Sequence, residues 1–139
     1  MDEKDLKAHL LRKENFVTYR DAINFLHQVA EGVWFLHSQL GYIHQDIRAE
    51  NCLLERSGPG QLNIRICASE FHGLCSTRNK SKMKNIIPFR NLAPEILKFL
   101  EFSEKSDSWA FGLLIWEVTT RGKTPFAEIE SWDELRKLI

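Results

Sequence analysis

Asp46 and Asn51 are the two residues whose types and spacing most directly suggest chemistry. They stand five positions apart in a short polar segment that lies between a predicted helix and a predicted strand. In phosphoryl transfer, one carboxylate must accept or orient the proton of the attacking hydroxyl, and a nearby oxygen must hold Mg²⁺ on the phosphates. The plainer alternative is a polar turn in which both short side chains bond their own backbone.

The segment around these residues, HQDIRAEN at 44–51, resembles the catalytic loop H-R-D-x-x-x-x-N of protein kinases. Further motifs follow in the order that this family has. LAPE at 92–95 resembles the A-P-E signature, KSDSWAFG at 105–112 resembles the start of the central helix, and GKTPF at 122–126 is similar to the segment after it. The ordered set indicates the protein kinase family more strongly than any one motif does.

Two features resemble tyrosine kinases in particular: Arg48, two residues after Asp46, and PFRNLAPE at 88–95. The resemblance implies that Asp46 is the catalytic base and that Arg48 supports the substrate hydroxyl or phosphate. It also implies that Asn51 binds Mg²⁺ and the cofactor ATP. Leu53 would form the floor beneath the adenine ring, a role that is compatible with ordinary core packing.

The second Mg²⁺ ligand of the family, the aspartate of D-F-G, has no counterpart aspartate in this chain. The best alignment places Glu70 there, with Phe71 and Gly73 at the following motif positions. Glutamate keeps the charge, but its extra methylene moves the oxygens by about an ångström, and misplacement of that size can cost about a hundredfold in rate. A plain acidic loop residue is the alternative for Glu70.

Two further departures concern Gln45, which replaces the arginine before Asp46, and Asn91, which replaces a tryptophan frequent in tyrosine kinases. The segment 70–95 contains no tyrosine, which excludes tyrosine autophosphorylation within it. Two functions therefore stay open. The first is a tyrosine protein kinase that transfers phosphate from ATP with Mg²⁺, and the second is a pseudokinase that serves as a scaffold or allosteric partner.

The resemblance also implies which part of a kinase domain residues 1–139 represent. Residues 1–7 look like the segment just after the hinge between the lobes, and 132–139 look like the start of the helix after the central one. The sequence contains no glycine-rich loop and no lysine strand, so we expect a partial domain without the N-terminal lobe and the last helices. We expect this chain alone to be catalytically inactive and to expose apolar faces.

The composition fits one soluble globular domain: 139 residues, 43% hydrophobic, with 19 basic and 19 acidic side chains. Balanced charge argues against nucleic acid and against a membrane contact from this segment. The expected partners are a protein substrate or protein partner, together with an N-terminal lobe. The expected location is cytoplasmic, either free or as the cytoplasmic portion of a membrane receptor.

The cysteines and histidines offer less specific alternatives. Three cysteines are too few for a disulfide framework, which favours a reducing compartment. A zinc site would need an irregular ligand set that lacks paired close spacing: Cys52, Cys67, His72 and Cys75. Cys75 beside His72 as a thiol nucleophile is weaker still. His44 is expected to be structural, and Asp107 is expected to bond the catalytic-loop backbone beside it.

The elements that must position these residues follow from periodicity. A helix is predicted over 18–38, with a capping box from Thr18 and Asp21 and an apolar stripe that comprises Ile23, Leu26, Ala30, Val33 and Trp34. Two short strands, 51–54 and 62–67, flank a turn at 57–60. A long loop is predicted over 69–88, and a helix buried on every side over 106–120. The predicted fold is mainly α with a small β-hairpin, a kinase-like C-terminal lobe.

Overall fold

A computed structural model describes residues 5–68 and 80–139. The described part is mostly helical with a two-stranded antiparallel sheet, which confirms the predicted fold class. Among these residues, no helix combines the length and apolar character that a membrane span requires. The elements in chain order are α1 (Leu6–Leu11), α2 (Tyr19–Leu40), a 3₁₀ turn (Ala49–Asn51), β1 (Cys52–Gly58), β2 (Gln61–Ile66), α3 (Lys80–Ile86), α4 (Pro94–Phe99), α5 (Glu104–Thr119) and α6 (Trp132–Leu138).

Helix α2 begins and ends where local chemistry predicts. The Thr18 side chain accepts the Asp21 N–H at 3.1 Å, and the Asp21 carboxylate accepts the Thr18 N–H at 2.9 Å, which completes the capping box. The Thr18 hydroxyl, which donates to Asp21 Oδ2 at 2.6 Å, and the Thr18 N–H hold the pKa of Asp21 below its usual value. Gly41 ends the helix in the left-handed conformation at φ 59°.

The buried stripe of α2 differs from the predicted one. Phe25, Val29 and Val33 are buried, whereas Ile23 is 49% exposed and Trp34 is 64% exposed. Helical spacing was therefore right about the element and wrong about most of the face, because several apolar side chains share this helix and only one face meets the hairpin and α5.

The hairpin β1–β2 confirms the predicted strand pair and turn. Cys52 pairs with Ile66, Leu54 with Ile64, and Gly60 takes the positive φ of 73° that the tight turn requires. Helix α2 lies along β2, where the Gln28 side chain accepts the Ile64 N–H at 2.9 Å. This contact fixes the hairpin that follows the loop at 44–51.

Helix α5 starts at a second capping box, between Ser103 and Ser106. The prediction that it is buried on every side is wrong. Trp109, Ile115 and Trp116 are about two-fifths exposed, because α2 and the 3₁₀ turn pack against only part of the helix. Its buried face instead includes two carboxylates, which are described with the site below.

The predicted long loop at 69–88 is partly helical. Residues 69–79 lie outside the described part, and Lys80–Ile86 forms α3, which a loop prediction missed. Met83 of α3 and Ile87 directly after the helix, four positions apart, form one buried apolar edge. They enter a second core with α4 and α6, separate from the core around α1, α2, the hairpin and α5. Within it, Trp132 Nε1 donates to the Leu97 carbonyl oxygen at 3.0 Å.

Candidate active site

The loop between α2 and β1 is held at its start by Asp107 of α5. The Asp107 carboxylate is buried, and it accepts the His44 N–H at 2.7 Å and the Gln45 N–H at 2.8 Å. His37 Nε2 of α2 lies 2.8 Å from the same carboxylate. Gln45 has a positive φ of 73°, so the chain turns sharply here. The predicted bond from Asp107 to the loop backbone is confirmed.

His44 has a structural place, as the sequence predicted. Its side chain is fully buried, its Nε2 lies 2.5 Å from the Cys67 carbonyl oxygen, and its Nδ1 lies 3.2 Å from the Asp46 N–H. Because a carbonyl oxygen only accepts and a backbone N–H only donates, the ring donates through Nε2 and accepts at Nδ1. His44 thus ties the loop to the end of β2 and orients the backbone of Asp46.

Asp46 is part of this loop, and it is only 7% exposed. Asn51 donates through Nδ2 to Asp46 Oδ2 at 2.6 Å and to the Asp46 carbonyl oxygen at 2.8 Å. Arg48 Nε lies 3.0 Å from Asp46 Oδ1, but its N–H forms no hydrogen bond, so this contact is an ion pair without hydrogen-bond direction.

The surroundings of Asp46 make it a stronger base than an exposed aspartate. Burial raises the pKa of this carboxyl, while the Arg48 charge and the Asn51 hydrogen bond act in the opposite direction. A raised pKa brings a carboxylate closer to the range in which a general base works at neutral pH. The direction of this pKa change is the one that a proton acceptor needs.

Asn51 is placed to contribute a cation ligand. Its amide nitrogen is used by Asp46, and within the described residues no hydrogen bond reaches its Oδ1. A neutral amide oxygen beside a carboxylate fits Mg²⁺, which prefers oxygen ligands and takes only one or two from the protein in phosphate-binding sites. Glu70, the other predicted metal ligand, lies outside the described residues.

The two remaining predicted site residues, Arg48 and Leu53, have different surroundings. Arg48 Nη1 donates to Glu50 Oε2 at 2.6 Å, so its guanidinium bridges two carboxylates at the loop surface. Leu53 lies on β1, pairs with Arg65 and bridges to Asp5, and its side chain is 40% exposed. The structure thus brings Asp46, Arg48 and Asn51 together, while Leu53 presents a separate apolar surface.

The zinc alternative gains no support from the part of the chain that is described. Burial raises the pKa of the Cys52 thiol to about 12, so this sulfur stays protonated and is a poor ligand. In residues 5–68 and 80–139, no three His, Cys, Asp or Glu side chains cluster as metal ligands. His72 and Cys75 lie outside these ranges.

Comparison with known proteins decides the family. A family model described as protein tyrosine and serine/threonine kinase matches residues 1–139. The chain belongs to this kinase family. It is 35% identical over 138 residues to the tyrosine-protein kinase receptor svh-2 of Caenorhabditis elegans, across 95% of this chain and 12% of that relative's length. The predicted kinase family is confirmed, and the predicted tyrosine type agrees with this relative.

The kinase catalytic loop has a second anchor that the sequence analysis did not assign. Glu117, 3% exposed on α5, accepts the Ala49 N–H through Oε2 at 3.1 Å and lies 3.3 Å from Lys7 Nζ through Oε1. A glutamate within the apolar run LLIWEV is the signal that could have suggested a buried charge. Lys7, the partner of Glu117, lies 110 positions away, and its surrounding sequence does not indicate a buried charge.

A small cavity lies beside this anchor, next to the segment at 88–95 that resembles the tyrosine-kinase substrate loop, and we call it the substrate-side cavity. It encloses about 200 Å³, and its lining includes Lys7, Arg48, Glu50, Glu117, Asn91 and Thr124. Arg90 holds one wall, since it donates to the carbonyl oxygens of Phe126 at 3.2 Å and Ile129 at 2.6 Å. Asn91, which replaces the family's tryptophan, is 9% exposed, and its Nδ2 has no hydrogen-bond partner in the described part of the chain.

Proposed function

We propose that this chain supplies the catalytic-loop lobe of a tyrosine-type protein kinase that transfers the terminal phosphoryl group of ATP to a protein tyrosine. The observation that carries the proposal is the pairing of Asp46 with Asn51 on a loop that two buried carboxylates of α5 hold. Catalysis of phosphoryl transfer depends mainly on positioning and on electrostatic stabilisation, and this arrangement provides positioning.

Each predicted residue has a role in this reaction. Asp46 accepts the proton of the tyrosine hydroxyl, and Arg48 supports that hydroxyl or the transferred phosphate. Asn51 Oδ1 would hold Mg²⁺, with Glu70 as the second ligand, and Leu53 would lie beneath the adenine ring. The Mg²⁺ ion would neutralise charge on the phosphates.

The expected setting of this reaction is cytoplasmic, because ATP and protein substrates are available there. The similarity to a receptor kinase supports a cytoplasmic portion of a receptor as one such setting. The chain spans 12% of that relative's length, so the activity of any whole protein belongs to this proposal.

A pseudokinase is the second candidate. Gln45 and Glu70 depart from the family pattern, and Asn91 leaves a buried amide unpaired at the substrate side. A lobe of this kind would act as a scaffold or an allosteric partner while its catalytic loop keeps its fold.

A segment exchange separates the two candidates. The segment of the Caenorhabditis elegans relative that matches this chain is replaced by the present residues, and phosphorylation of a tyrosine peptide is measured with ATP and Mg²⁺. We expect activity that falls by about 10²–10⁴ in Asp46→Asn, the usual contribution of a general base. Glu55→Gln, an exposed carboxylate on β1, is the matched control and leaves the rate unchanged.

A folded exchange protein without activity would favour the pseudokinase. Glu70→Asp tests the metal assignment in the same protein, because a shorter side chain should strengthen Mg²⁺-dependent ATP binding. If this binding stays the same, Glu70 is not a metal ligand. For the 139-residue chain alone we expect no phosphorylation, and activity that Asp46→Asn abolishes would contradict that expectation.

A further inference from the structure

Glu117 and Lys7 form a buried ion pair that joins distant parts of the chain. The Glu117 carboxylate is 4% exposed and the Lys7 side chain is 12% exposed, and their charged atoms lie 3.3 Å apart. Lys7 Nζ also donates to the Lys123 carbonyl oxygen and to Thr124 Oγ1, each at 3.3 Å. Each hydrogen of the ammonium group therefore has an acceptor, and the pair connects α1, α5 and the segment that follows α5.

The other oxygen of Glu117 reaches into the catalytic loop. Glu117 Oε2 accepts the N–H of Ala49, a fully buried residue between Arg48 and Glu50. Ala49 stands three positions after Asp46 and two before Asn51. The bond thus fixes the stretch of backbone that sets the distance between these two side chains.

Stability alone does not account for two charges at this place. A buried ion pair is often no more stabilising than apolar residues of similar volume, because desolvation of both ions offsets their attraction. Here each charge makes additional bonds to backbone or hydroxyl groups of other segments. Such directed contacts specify geometry, which an apolar pair could not do.

We propose that Glu117 is a positioning residue for phosphoryl transfer, which holds Ala49 so that Asp46 and Asn51 keep their separation, with Lys7 coupling this anchor to the wall of the substrate-side cavity at Thr124. The proposal rests on the proposed function, since it concerns the placement of the base and the metal ligand. It adds a residue and a partner to which the sequence analysis assigned no role.

The charges that face Glu117 determine how the anchor responds to pH. Burial raises the pKa of Glu117, whereas the Ala49 N–H and Lys7 lower it, and Glu50 of the 3₁₀ turn raises it. Cys52 of β1 also faces this group, because the Glu117 charge contributes to the raised pKa of that thiol. Arg48 and Arg90 line the same cavity. Removal of Lys7 should therefore raise the pKa of Glu117 further.

The Ala49 amide signal in the ¹⁵N-labelled chain reports on the anchor directly. In the unaltered chain we expect its chemical shift to follow the titration of Glu117. In Lys7→Met, the midpoint of this titration should move to higher pH, and Ala49 hydrogen exchange should become about tenfold faster, which corresponds to ~1.4 kcal/mol of lost protection. Glu117→Gln should abolish the titration while its amide oxygen retains most of the protection.

Two further variants distinguish loss of the anchor from general unfolding of the chain. The double variant Lys7→Met with Glu117→Gln removes both charges and should return exchange at Ala49 to within about threefold of the unaltered chain. Glu55→Gln, which alters an exposed carboxylate, should change neither the midpoint nor the exchange rate. An Ala49 signal that does not titrate, or a midpoint and exchange rate that Lys7→Met leaves unchanged, would overturn the proposal.

A kinetic test uses the segment-exchange kinase, which is the relative's kinase with the matching segment replaced by residues of this chain. We expect Glu117→Ala to lower kcat about tenfold with KM within about twofold, and Glu117→Gln to recover most of the loss. An inactive exchange kinase with an intact Ala49 signature would count against the proposed function and leave the anchor in place. An active exchange kinase with no kcat loss in Glu117→Ala would overturn the anchor alone.

Discussion

The two ends of the catalytic loop are held by carboxylates of the same helix in different ways. Asp107, near the start of α5, bonds two consecutive backbone N–H groups and a histidine. Glu117, near the end of α5, bonds one backbone N–H and depends on Lys7 for its charge balance. The first anchor involves only α5, the loop and α2, while the second also needs Lys7 of α1, which is 110 positions from Glu117. Substitutions should therefore affect the two ends unequally.

Asp107→Ala should have the largest effect. It removes the acceptor of three hydrogen bonds and leaves the buried N–H of His44 unsatisfied, so the free energy of unfolding should fall by about 3–5 kcal/mol. Urea denaturation of the chain measures this loss. Asp107→Asn, which keeps one acceptor oxygen, is the control and should lose less. A loss below about 1 kcal/mol in the alanine variant would show that Asp107 does not hold the loop.

Glu117→Ala should cost less, about 1–3 kcal/mol, since one backbone N–H and one lysine lose their partner. Thermal or urea unfolding provides the measurement. The double variant with Lys7→Met should recover part of the loss, because no charge then remains unpaired. If Glu117→Ala lowers the free energy of unfolding as much as Asp107→Ala does, the two anchors contribute equally, which contradicts the prediction.

Asn91→Leu should have the opposite sign. The Asn91 Nδ2 group is buried without a partner, so an apolar side chain of similar volume should raise the free energy of unfolding by about 1 kcal/mol. Asn91→Asp, which places a charge at the same point, should lower it. Destabilisation by leucine would indicate that the amide has a partner that the described contacts do not include.

The pH dependence of unfolding should differ between the variants. Burial is the main cause that raises the pKa values of Asp46 and Glu117 in the folded chain. Between the unfolded and the folded pKa values, the folded chain therefore binds more protons than the unfolded chain. Stability should therefore decrease as pH rises through this window, and the decrease should be complete above the folded pKa values. Urea unfolding at a series of pH values tests the sign. Glu117→Gln should flatten the curve, and an unchanged slope would contradict the raised pKa.

The smallest effect is expected for the exposed pair Glu55 and Arg65. Their charged atoms lie 2.9 Å apart across the hairpin, yet both side chains are more than half exposed. Solvent screening limits such pairs, so Glu55→Gln should change stability by less than about 0.5 kcal/mol. A larger change would mean that the stability contributed by an ion pair in this chain depends on the distance between its charges and not on its burial.

Local signals predicted much of this fold. Thr18 and Asp21 form the expected capping box, and the turn at 57–60 lies between the expected strands. Such features depend on neighbours a few positions away, which a sequence displays directly. The motif order likewise indicated the catalytic loop, because Asp46 and Asn51 lie in one short segment.

Features that depend on distant contacts were not predictable in the same way. Lys7 contacts Glu117 although the two residues are 110 positions apart, and no local sequence pattern indicates that they pair. The exposed faces of Trp109 and Trp116 depend on what packs against α5, which helical periodicity does not specify. Helix α3 was missed because a single apolar pair at helical spacing, Met83 and Ile87, is too short a pattern to predict a helix.

The most direct test of the proposed function compares the segment-exchange kinase with its Asp46→Asn variant on tyrosine and serine peptides. We expect phosphorylation of the tyrosine peptide, a decrease in kcat of about 10²–10⁴ in the variant, and little phosphorylation of the serine peptide. Equal kcat values for the two proteins, with both folded, would contradict the role of Asp46 as the base.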